Sequence, residues 1–357
     1  MRFVHRALVF LSLFPLCVSA GSQDTSIAPG TRSVMDAHNC YPYFEWWADR
    51  IDRALSAGVP LAVEQDLDWY TDPYNGRSWS VVAHGAPMTG QEPTLDQYFF
   101  EHIRPIAEKA MQEGNHRDWP LITLNLDFKS EPTGHLEAVW AVLEKYREWL
   151  TTAPRTQEPG TLQPLDVKPI LVLTGESDAQ QKVFYDRVPP GARLLVFGAV
   201  HSFIEDPMSL PETLEPGPAT NYRRWWNNPW KVVERGGQNQ AGDWTSADEH
   251  RLRTLVNYAH SRRLWIRFYT LDGATKQELS CFGWFGTYNF GSLAAARERW
   301  RAAAAAGVDY IASDQYEQLA AFLSAHSAGK ISDAPPSSSG YPRNKARSPE
   351  LHGPEAR

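Results

Sequence analysis

The amino-acid sequence predicts a (βα)8 barrel of the TIM type, an α/β fold formed by one domain. Short apolar segments alternate with amphipathic segments along the chain, and eight such units fit between residues 31 and 325. This alternation implies parallel strands joined by right-handed crossovers, and the length is typical of a barrel. A doubly wound open sheet is the competing architecture, but no glycine-rich dinucleotide fingerprint follows the first predicted strand.

The strands are predicted from apolar runs that are bounded by turn residues. They are expected near residues 34, 62, 122, 170, 195, 221, 266 and 310. The segment from Lys168 to Thr174 is almost wholly aliphatic, which is typical of a strand buried on both faces. The strand from Ala219 to Trp225 is the weakest prediction, because it lies in a region rich in proline and aromatic residues.

Helices are predicted where apolar residues recur every three or four positions. The predicted ranges are 43–56, 95–112, 134–151, 177–185, 246–262, 292–306 and 315–326. Ser246 and Glu249 form a Ser-x-x-Glu capping box at the start of one of these helices. Ser292 is expected to cap the next helix, which Gly307 ends.

Both ends of the chain are predicted to lie outside the barrel domain, which spans residues 32–327. Residues 1–20 combine basic residues, an apolar run and a small-residue cleavage site at Val18 to Ala20, as in a signal peptide. Residues 21–31 are a predicted linker, and residues 328–357 have the composition of a disordered tail. We therefore expect an exported protein, either secreted or periplasmic.

Composition narrows the range of partners. Lys and Arg total 35 against 42 Asp and Glu, a net charge of -7, so nucleic acid is not an expected partner. We expect a monomer that acts on a small substrate. Signal-peptide removal leaves Cys40 and Cys281, which either form one disulfide or remain free thiols.

Polar side chains follow the first three predicted strands. His38 ends the first strand, Glu64 and Asp66 share one face late in the second, and Asp127 ends the third. Active sites of such barrels lie at the carboxyl ends of the strands, so these side chains should converge. Neighbouring carboxylates favour a hard cation, Mg²⁺ or Ca²⁺, and Asn39 is a further candidate ligand. Solvated strand-end charges are the alternative interpretation of the acidic pair.

Two histidines bracket these acids along the sequence. His38 and His84 each follow a short apolar run. Phosphodiester cleavage needs a base to activate the nucleophile and an acid to protonate the leaving oxygen, and two imidazoles suit both tasks. A cation would neutralise charge on the phosphoryl oxygens. Taken singly, each histidine is better explained as an ordinary surface or satisfied core side chain, and the functional interpretation depends on the two together.

The order of these motifs resembles the PLC-like phosphodiesterase superfamily. That superfamily includes phosphoinositide phospholipases C, glycerophosphodiester phosphodiesterases and sphingomyelinases D. The resemblance is carried by H-N-C-Y at residues 38–41, V-V-A-H-G at 81–85 and L-D-F-K at 126–129. It covers residues 33–130, and G-V-D-Y-I-A-S-D at 307–314 is similar to the closing strand of glycerophosphodiesterases.

The resemblance implies a TIM-type barrel with one divalent cation and His38 and His84 as the acid-base pair. The implied metal ligands are Glu64, Asp66 and Asp127, with Asn39 as a further ligand, and Lys129 is the implied phosphate contact. Two departures from the motifs of the superfamily limit what the resemblance implies about the substrate. Asn39 stands where glycerophosphodiesterases usually have arginine, and the paired lysines of the phospholipase C branch are not found.

The aromatic and basic run from Asn221 to Trp230 is expected to line the barrel mouth. Arg223 and Arg224 would then contact a phosphate. The tryptophans Trp225, Trp226 and Trp230 would stack on a headgroup or make transient contact with a membrane surface. Packing of the tryptophans beneath a long loop is the equal alternative, and Trp284 and Tyr288 carry the same ambiguity.

The leading functional hypothesis is an exported, metal-dependent phosphodiesterase that acts on a phospholipid or a glycerophosphodiester. Hydrolysis and formation of a cyclic phosphate both remain open. A glycoside hydrolase is the second hypothesis, since strand-end acids and 14 tryptophans suit sugar binding. That hypothesis leaves His38, His84 and Lys129 without roles. A barrel that binds lipid or phosphate without catalysis is the third.

Overall fold

The computed structural model describes residues 27–42, 47–215, 217–236, 242–282, 286 and 289–328. The predicted signal peptide, most of the predicted linker and the predicted tail from residue 329 lie outside these residues, as do Trp284 and Tyr288. Among the helices described, none has both the length and the apolar character needed to cross a membrane.

Eight parallel strands of the described chain close into a barrel. The strands are β1 (Val34–Ala37), β2 (Leu61–Thr71), β3 (Ser78–Val82), β4 (Ile122–Phe128), β5 (Ala153–Pro154), β6 (Ile170–Thr174), β7 (Arg193–Leu194), β8 (Phe197–Ala199), β9 (Arg223–Pro229), β10 (Trp265–Tyr269) and β11 (Tyr310–Ser313). The barrel order is β1, β2, β4, β6, β8, β9, β10 and β11, and β11 pairs back with β1. The predicted fold class is confirmed.

Helices surround the barrel. They are α1 (Arg50–Ser56), α2 (Glu101–Glu113), α3 (Thr133–Lys145), α4 (Asp178–Gln181), α5 (Pro211–Leu214), α6 (Ser246–Ser261), α7 (Lys276–Phe282), α8 (Leu293–Ala306) and α9 (Tyr316–Ser327). A π-helical turn precedes α2 and another follows α4. Ser292 caps α8, and Gly307 ends it in the left-handed conformation, as predicted.

The capping box of α6 lies one residue earlier than predicted. The Thr245 hydroxyl accepts from the Asp248 amide, and the Asp248 carboxylate accepts from the Thr245 amide at 2.9 Å. Thr245 has the extended backbone that an N-cap requires, with φ -118° and ψ 166°. Ser246 is already the first helical residue, so the predicted pair of Ser246 and Glu249 was wrong by one position.

Three strands lie outside the barrel and were not predicted as separate elements. The predicted strand 193–200 divides into β7, which pairs antiparallel with β5, and β8, which enters the barrel. The β9 strand begins at Arg223 rather than Ala219. Upstream of it, the side-chain amide of Asn221 donates to Pro154 and its oxygen accepts from Thr156, so this segment is held against a loop. The β3 strand pairs antiparallel with the outer half of β2.

The two cysteines within the described residues are free thiols. Cys40 is buried and Cys281 is exposed. The two thiols therefore lie in different environments. Of the two alternatives that the sequence left open, a disulfide or two free thiols, the structure has two free thiols.

Candidate active site

The carboxyl ends of β1, β2 and β4 bring four of the predicted residues together at the barrel mouth. Glu64, Asp66 and Asp127 each place one carboxylate oxygen within 4.8 Å of the others. The parallel register explains this, because Glu64 pairs with Asn125 and Asp66 with Asp127 across β2 and β4. His38 Nε2 lies 3.6 Å from Glu64 Oε2.

Asp66 is the least satisfied member of this acidic cluster. Its side chain is 1% exposed, and neither carboxylate oxygen accepts a hydrogen bond from a described residue. Burial and the neighbouring Asp127 carboxylate raise the pKa of Asp66 well above its ordinary value. A buried carboxylate that accepts no hydrogen bond, with the Lys129 ammonium 3.2 Å from its Oδ2 and two further acids beside it, is a fitting environment for a cation that coordinates oxygen.

The Glu64 carboxylate, by contrast, is fixed by an ion pair and a hydrogen bond. Arg267 Nη2 lies 3.2 Å from Glu64 Oε2, and the Asn39 amide donates to the same oxygen at 3.1 Å. Burial alone would raise the pKa of Glu64, but the charges of Arg267 and His38 offset it and lower the pKa to about 2. Arg267 also donates to Asp36, one layer deeper in the barrel, so it bridges two acids.

His38 is buried between two carboxylates. Its Nδ1 atom lies 2.8 Å from Asp314 Oδ1, and Glu64 faces its Nε2 atom. Burial alone would lower the pKa of His38, but Glu64 and Asp314 together raise it to about 9. The Tyr269 ring stacks on the imidazole with a centroid distance of 6.0 Å. The imidazole is therefore held in place and favoured in its protonated form.

Arg50 and Tyr316 fix the backbone that carries His38. Arg50 Nη1 donates to the carbonyl of Asn39 at 2.7 Å, while its Nη2 donates to Asp314 at 3.3 Å. The Tyr316 hydroxyl donates to the carbonyl of His38 at 2.7 Å. Asn39 has φ 52°, a left-handed conformation that asparagine tolerates better than most residues. The turn after β1 is thus held by α1 and α9 together.

His84 reaches the site by a different route, because it follows β3 rather than a barrel strand. The antiparallel register of β2 and β3 places its Nε2 atom 3.8 Å from Asp66 Oδ2. The imidazole is 45% exposed and stacks on Tyr41 with a centroid distance of 5.7 Å. Partial burial lowers the pKa of His84, and the positive charge of Lys129 is the second cause of the lowering. His38 and His84 therefore flank one acidic cluster with pKa values shifted in opposite directions.

Lys129 lies within the acidic cluster. Its ammonium is 2.7 Å from Asp127 Oδ2 and 3.2 Å from Asp66 Oδ2. Burial alone would lower the pKa of Lys129, but Asp66 and Asp127 outweigh it and raise the pKa. The Lys129 ammonium thus contacts the same oxygens that are best placed to hold a metal.

Asn39 makes a different contact from the one expected. Its side-chain nitrogen donates to Asp314 Oδ1 at 3.0 Å, and its backbone amide donates to Glu64. The expectation that Asn39 also reaches a metal stays a prediction. Glu64, Asp66 and Asp127 are the oxygen set that the described residues bring together.

The aromatic and basic run does not line the mouth, so these predictions were wrong. Trp225, Trp226 and Trp230 are 1%, 0% and 0% exposed, and their indole nitrogens donate to Thr174, Ser202 and Glu234 respectively. Such buried rings cannot touch a headgroup or a membrane. The physical reason is that β9 is a barrel strand, so its side chains on both faces, including Trp225 and Trp226, are covered. Trp230 is buried in the helical turn that directly follows β9.

The two arginines of this run are also unavailable to a substrate at the mouth. Arg223 donates to the carbonyls of Glu176 and Ala199 and to the side chain of Gln181, at 2.5–2.9 Å. Arg224 lies at the amino-terminal end of the barrel, where it donates to the carbonyls of Asn221 and Gln163. Neither guanidinium faces the acidic cluster.

Sequence reasoning missed the residues that hold the site from the far side of the barrel. Asp314 stands in the motif at residues 307–314, whose resemblance predicts no role for it. No motif of the sequence predicts the contacts of Arg267 and Arg50. A buried arginine within an apolar strand, as in W-I-R-F-Y at residues 265–269, is the one signal that was present, because such a charge needs a buried acid.

A second group of potential ligands lies beside the first. His38, Asp272 and Asp314 also bring one ligand atom each within 4.8 Å of the others. Asp272 Oδ1 already accepts from the Ser313 hydroxyl and the Asp314 amide, at 2.6 and 2.7 Å. Burial and the neighbouring Asp314 raise the pKa of Asp272 to about 7. These bonds make Asp272 a support for the Asp314 turn.

Comparison with known proteins gives structural matches only. No family model matches the chain, and no curated protein matches it. It is similar to a glycerophosphoryl diester phosphodiesterase from Parabacteroides distasonis, with 13% identity, a TM-score of 0.40 and coverage of 84% of this chain and 88% of that one. It is also similar to a calcium-dependent phosphoinositol-specific phospholipase C from a Pseudomonas species, with 12% identity, a TM-score of 0.43 and coverage of 82% and 92%.

A third match has a different activity. The bifunctional HPPK-DHPS of Plasmodium falciparum aligns with 7% identity and a TM-score of 0.44, covering 85% of this chain and 50% of that one. Likeness at this level transfers no activity, so the function has to be inferred from the geometry of the site.

Proposed function

We propose that this protein is a metal-dependent phosphodiesterase whose site is the acidic cluster at the barrel mouth. The observation that carries the proposal is that two imidazoles, His38 and His84, flank one group of three carboxylates, two of which are buried. An acid, a base and a cation site in contact are the parts that phosphodiester cleavage requires.

The carboxylates of Glu64, Asp66 and Asp127 would hold one divalent cation, Mg²⁺ or Ca²⁺. The Asp66 oxygens support this assignment, since no described residue donates a hydrogen bond to them and Lys129 is the one ammonium in ion-pair contact with them. When bound, the cation would neutralise charge on the phosphoryl oxygens and lower the pKa of a nucleophile in contact with it.

The two histidines divide the proton transfers. His38 is held between Glu64 and Asp314 in its protonated form, which suits a donor to the leaving oxygen. His84 is half-exposed and its pKa is lowered, which suits an acceptor of the proton of the attacking hydroxyl or water.

Lys129 supplies positive charge for the phosphate. Its ammonium reaches both Asp66 and Asp127, so a short rotation of its side chain brings it to a phosphoryl oxygen above these acids. The substrate class that we propose is a phospholipid or a glycerophosphodiester. The support is the resemblance of the motifs around His38, His84 and Lys129. Export and action as a monomer belong to the same proposal.

The test is hydrolysis of a panel of phosphodiesters by the full chain, with and without a chelator. The variants are His38→Ala and His84→Ala, and the matched control is His102→Ala, an exposed histidine on α2. We expect chelator, His38→Ala and His84→Ala each to lower kcat/KM by about 100-fold or more, because each removes one part of the acid, base and cation set. His102→Ala should match the wild type.

Three outcomes would contradict the proposal. Activity that survives both substitutions would exclude the two histidines as the acid-base pair. Activity that survives chelation would exclude the cation. Cleavage of a glycoside, with no cleavage of any phosphodiester, would favour the two-carboxylate mechanism of a glycosidase instead.

A further inference from the structure

The amino-terminal end of the barrel, opposite the candidate active site, contains a separate cavity of about 310 Å³. Two segments supply seven of its eleven lining residues, and the other four are Arg224, His260, Arg263 and Trp265. Residues 27–29 cross the end of the barrel, where the carbonyl of Ile27 accepts from the indole of Trp265. The other segment, residues 162–165, belongs to the loop between β5 and β6. The cavity is therefore part of the fold at the end where (βα)8 enzymes do not place their catalytic residues.

Most of the cavity wall is apolar. Ile27, Pro29, Leu162, Leu165 and Trp265 supply its aliphatic and aromatic surface. Its volume holds about ten water-sized groups, at about 30 Å³ for each. A ligand of that size with an apolar body would bury most of its surface there.

Among the basic side chains that line this cavity, Arg224, His260 and Arg263, only Arg224 is buried. Arg224 lines the cavity and is 7% exposed. Its Nε donates to the carbonyl of Asn221 at 3.2 Å and its Nη2 to that of Gln163 at 3.0 Å. Within the described part of the chain, no carboxylate forms an ion pair with it. Arg50, Arg267 and Arg299, which are at most 2% exposed, each pair with an acid.

The acid Asp309, which lies at the same end of the barrel, is already engaged by other groups. Asp309 is fully buried at the same end of the barrel, but His260 Nε2 lies 2.9 Å from its Oδ2 atom. The backbone amides of Gly30 and Ile266 also donate to Asp309, at 2.7 and 2.8 Å. Its charge is therefore satisfied by its own neighbours. A buried guanidinium that lacks an acid is costly, unless an anion completes its environment.

We propose that this cavity binds a small organic carboxylate, with the carboxylate on the Arg224 guanidinium and an apolar chain along Trp265 and Leu165. A guanidinium presents a planar fork that matches a carboxylate, which gives the site its specificity for the anion. Arg263 also lines the cavity but is exposed, and His260 is paired with Asp309, so Arg224 is the one buried arginine of the wall. One buried guanidinium suits one negative charge better than a phosphate dianion. The apolar wall suits a chain of roughly eight carbons within the ten-group volume. The site is independent of the proposed phosphodiesterase activity.

The experiment is isothermal titration of the full chain with three probes. Octanoate carries both the charge and the chain, 1-octanol carries the chain without the charge, and acetate carries the charge with almost no chain. We expect saturable binding of one octanoate per chain, and binding of 1-octanol and acetate at least tenfold weaker. Equal binding of octanoate and 1-octanol would overturn the proposal, as would no binding of octanoate.

Variants assign the binding to Arg224. Arg224→Met should weaken octanoate binding at least tenfold, and Arg224→Lys, which keeps the charge without the planar fork, should weaken it less. The matched control is Arg253→Met, since Arg253 is an exposed arginine on α6 that pairs with Glu249. It should bind as the wild type does. Unchanged affinity in Arg224→Met would overturn the proposal. Binding of inorganic phosphate that depends on Arg224, without binding of octanoate, would overturn the carboxylate class.

If Arg224→Met proves unstable, the comparison of octanoate with 1-octanol on the wild type and on Arg224→Lys decides the same question. Thermal unfolding of each variant, measured before titration, shows which comparison applies.

Discussion

At the scale of single residues, the site depends on charges that come from opposite sides of the barrel. His38 on the first strand receives its orientation from Asp314, after the last strand, at a distance of 2.8 Å. Arg50 meets the second oxygen of the same carboxylate. Because both oxygens of Asp314 are engaged, the imidazole is held in one orientation and its protonated form is stabilised.

The first prediction concerns Asp314 as a positioning residue. Asp314→Asn keeps the shape of the side chain and removes the charge that helps to raise the pKa of His38. We expect kcat/KM for a phosphodiester to fall about 10- to 100-fold. The limb of the pH profile that reports His38 should also move to lower pH. Asp118→Asn, at an exposed position, is the control and should change neither quantity.

A loss of stability alone would lower activity without moving that limb. An unshifted pH profile in Asp314→Asn would therefore show that Asp314 serves the fold and not the imidazole.

The sequence predicted the site residues on the first strands of the barrel better than those that the last strands contribute. His38, Glu64, Asp66 and Asp127 follow from strand ends that lie within 90 residues of one another, where strand order can be inferred from alternation. The partners Asp314 and Arg267 lie 276 and 231 positions from His38 and Asp36 respectively. These contacts exist only because the barrel closes, and no local pattern encodes their register.

Glu215 provides a second prediction at this scale. Burial raises the pKa of Glu215 to about 7 from an ordinary value of 4.5, and its Oε2 has no hydrogen-bond partner among the described residues. A raised carboxyl pKa means that the unfolded state releases the proton first, so stability falls as the pH rises from about 4.5 to about 7. Glu215→Gln removes that loss.

We expect Glu215→Gln to be more stable than the wild type at pH 8 by about 1 kcal/mol, with allowance for solvent screening, and nearly equal to it at pH 4. Urea unfolding at both pH values measures the difference. A variant that is equally stabilised at both pH values would show that packing, and not ionisation, is the cause.

At the scale of elements, the β2–β3 hairpin explains how His84 reaches the site. The β2 strand runs beyond the barrel to Thr71, and β3 returns beside it with Leu67 opposite Val82. The Ala83 amide then donates to the carbonyl of Asp66 at 3.0 Å, which places His84 above the acidic cluster. The motif V-V-A-H-G indicated a functional histidine, but strand alternation alone gave no reason to expect a hairpin outside the barrel.

The start of α6 offers a prediction that separates fold from function. Thr245→Ala removes the hydroxyl that accepts from the Asp248 amide and should lower the free energy of unfolding by about 1 kcal/mol. Thr254→Ala on the same helix is the matched control, because the Thr254 hydroxyl only donates to the carbonyl of His250 and caps no helix end. Denaturant unfolding measures both variants.

Phosphodiesterase activity should be unchanged in both threonine variants, since α6 carries no residue of the site. If Ser246→Ala cost as much stability as Thr245→Ala, the cap would lie where the sequence placed it and not where the structure does.

At the scale of the whole molecule, the barrel interior near its mouth is an acidic centre with too few internal cations. Arg267 forms ion pairs with Asp36 and Glu64, and Arg50 forms one with Asp314. Lys129 is shared between Asp66 and Asp127. Asp66 retains two buried oxygens that accept no hydrogen bond from the described residues. Part of the folding free energy is therefore lost at this centre unless a further cation is present.

The last prediction follows from that balance and is measured on the intact chain. Asp66→Asn removes one of the three mutually repelling carboxylates, so in chelator we expect the variant to unfold at a higher temperature than the wild type. Added Mg²⁺ or Ca²⁺ should reverse the order. A cation at 100 times its Kd stabilises the native state by about 2.7 kcal/mol, and the variant lacks the central ligand.

Asp118→Asn, an exposed control, should follow the wild type in both conditions. If neither cation raised the unfolding temperature of the wild type, Lys129 and Arg267 would be the only cations that the centre needs, and the metal assignment would be wrong.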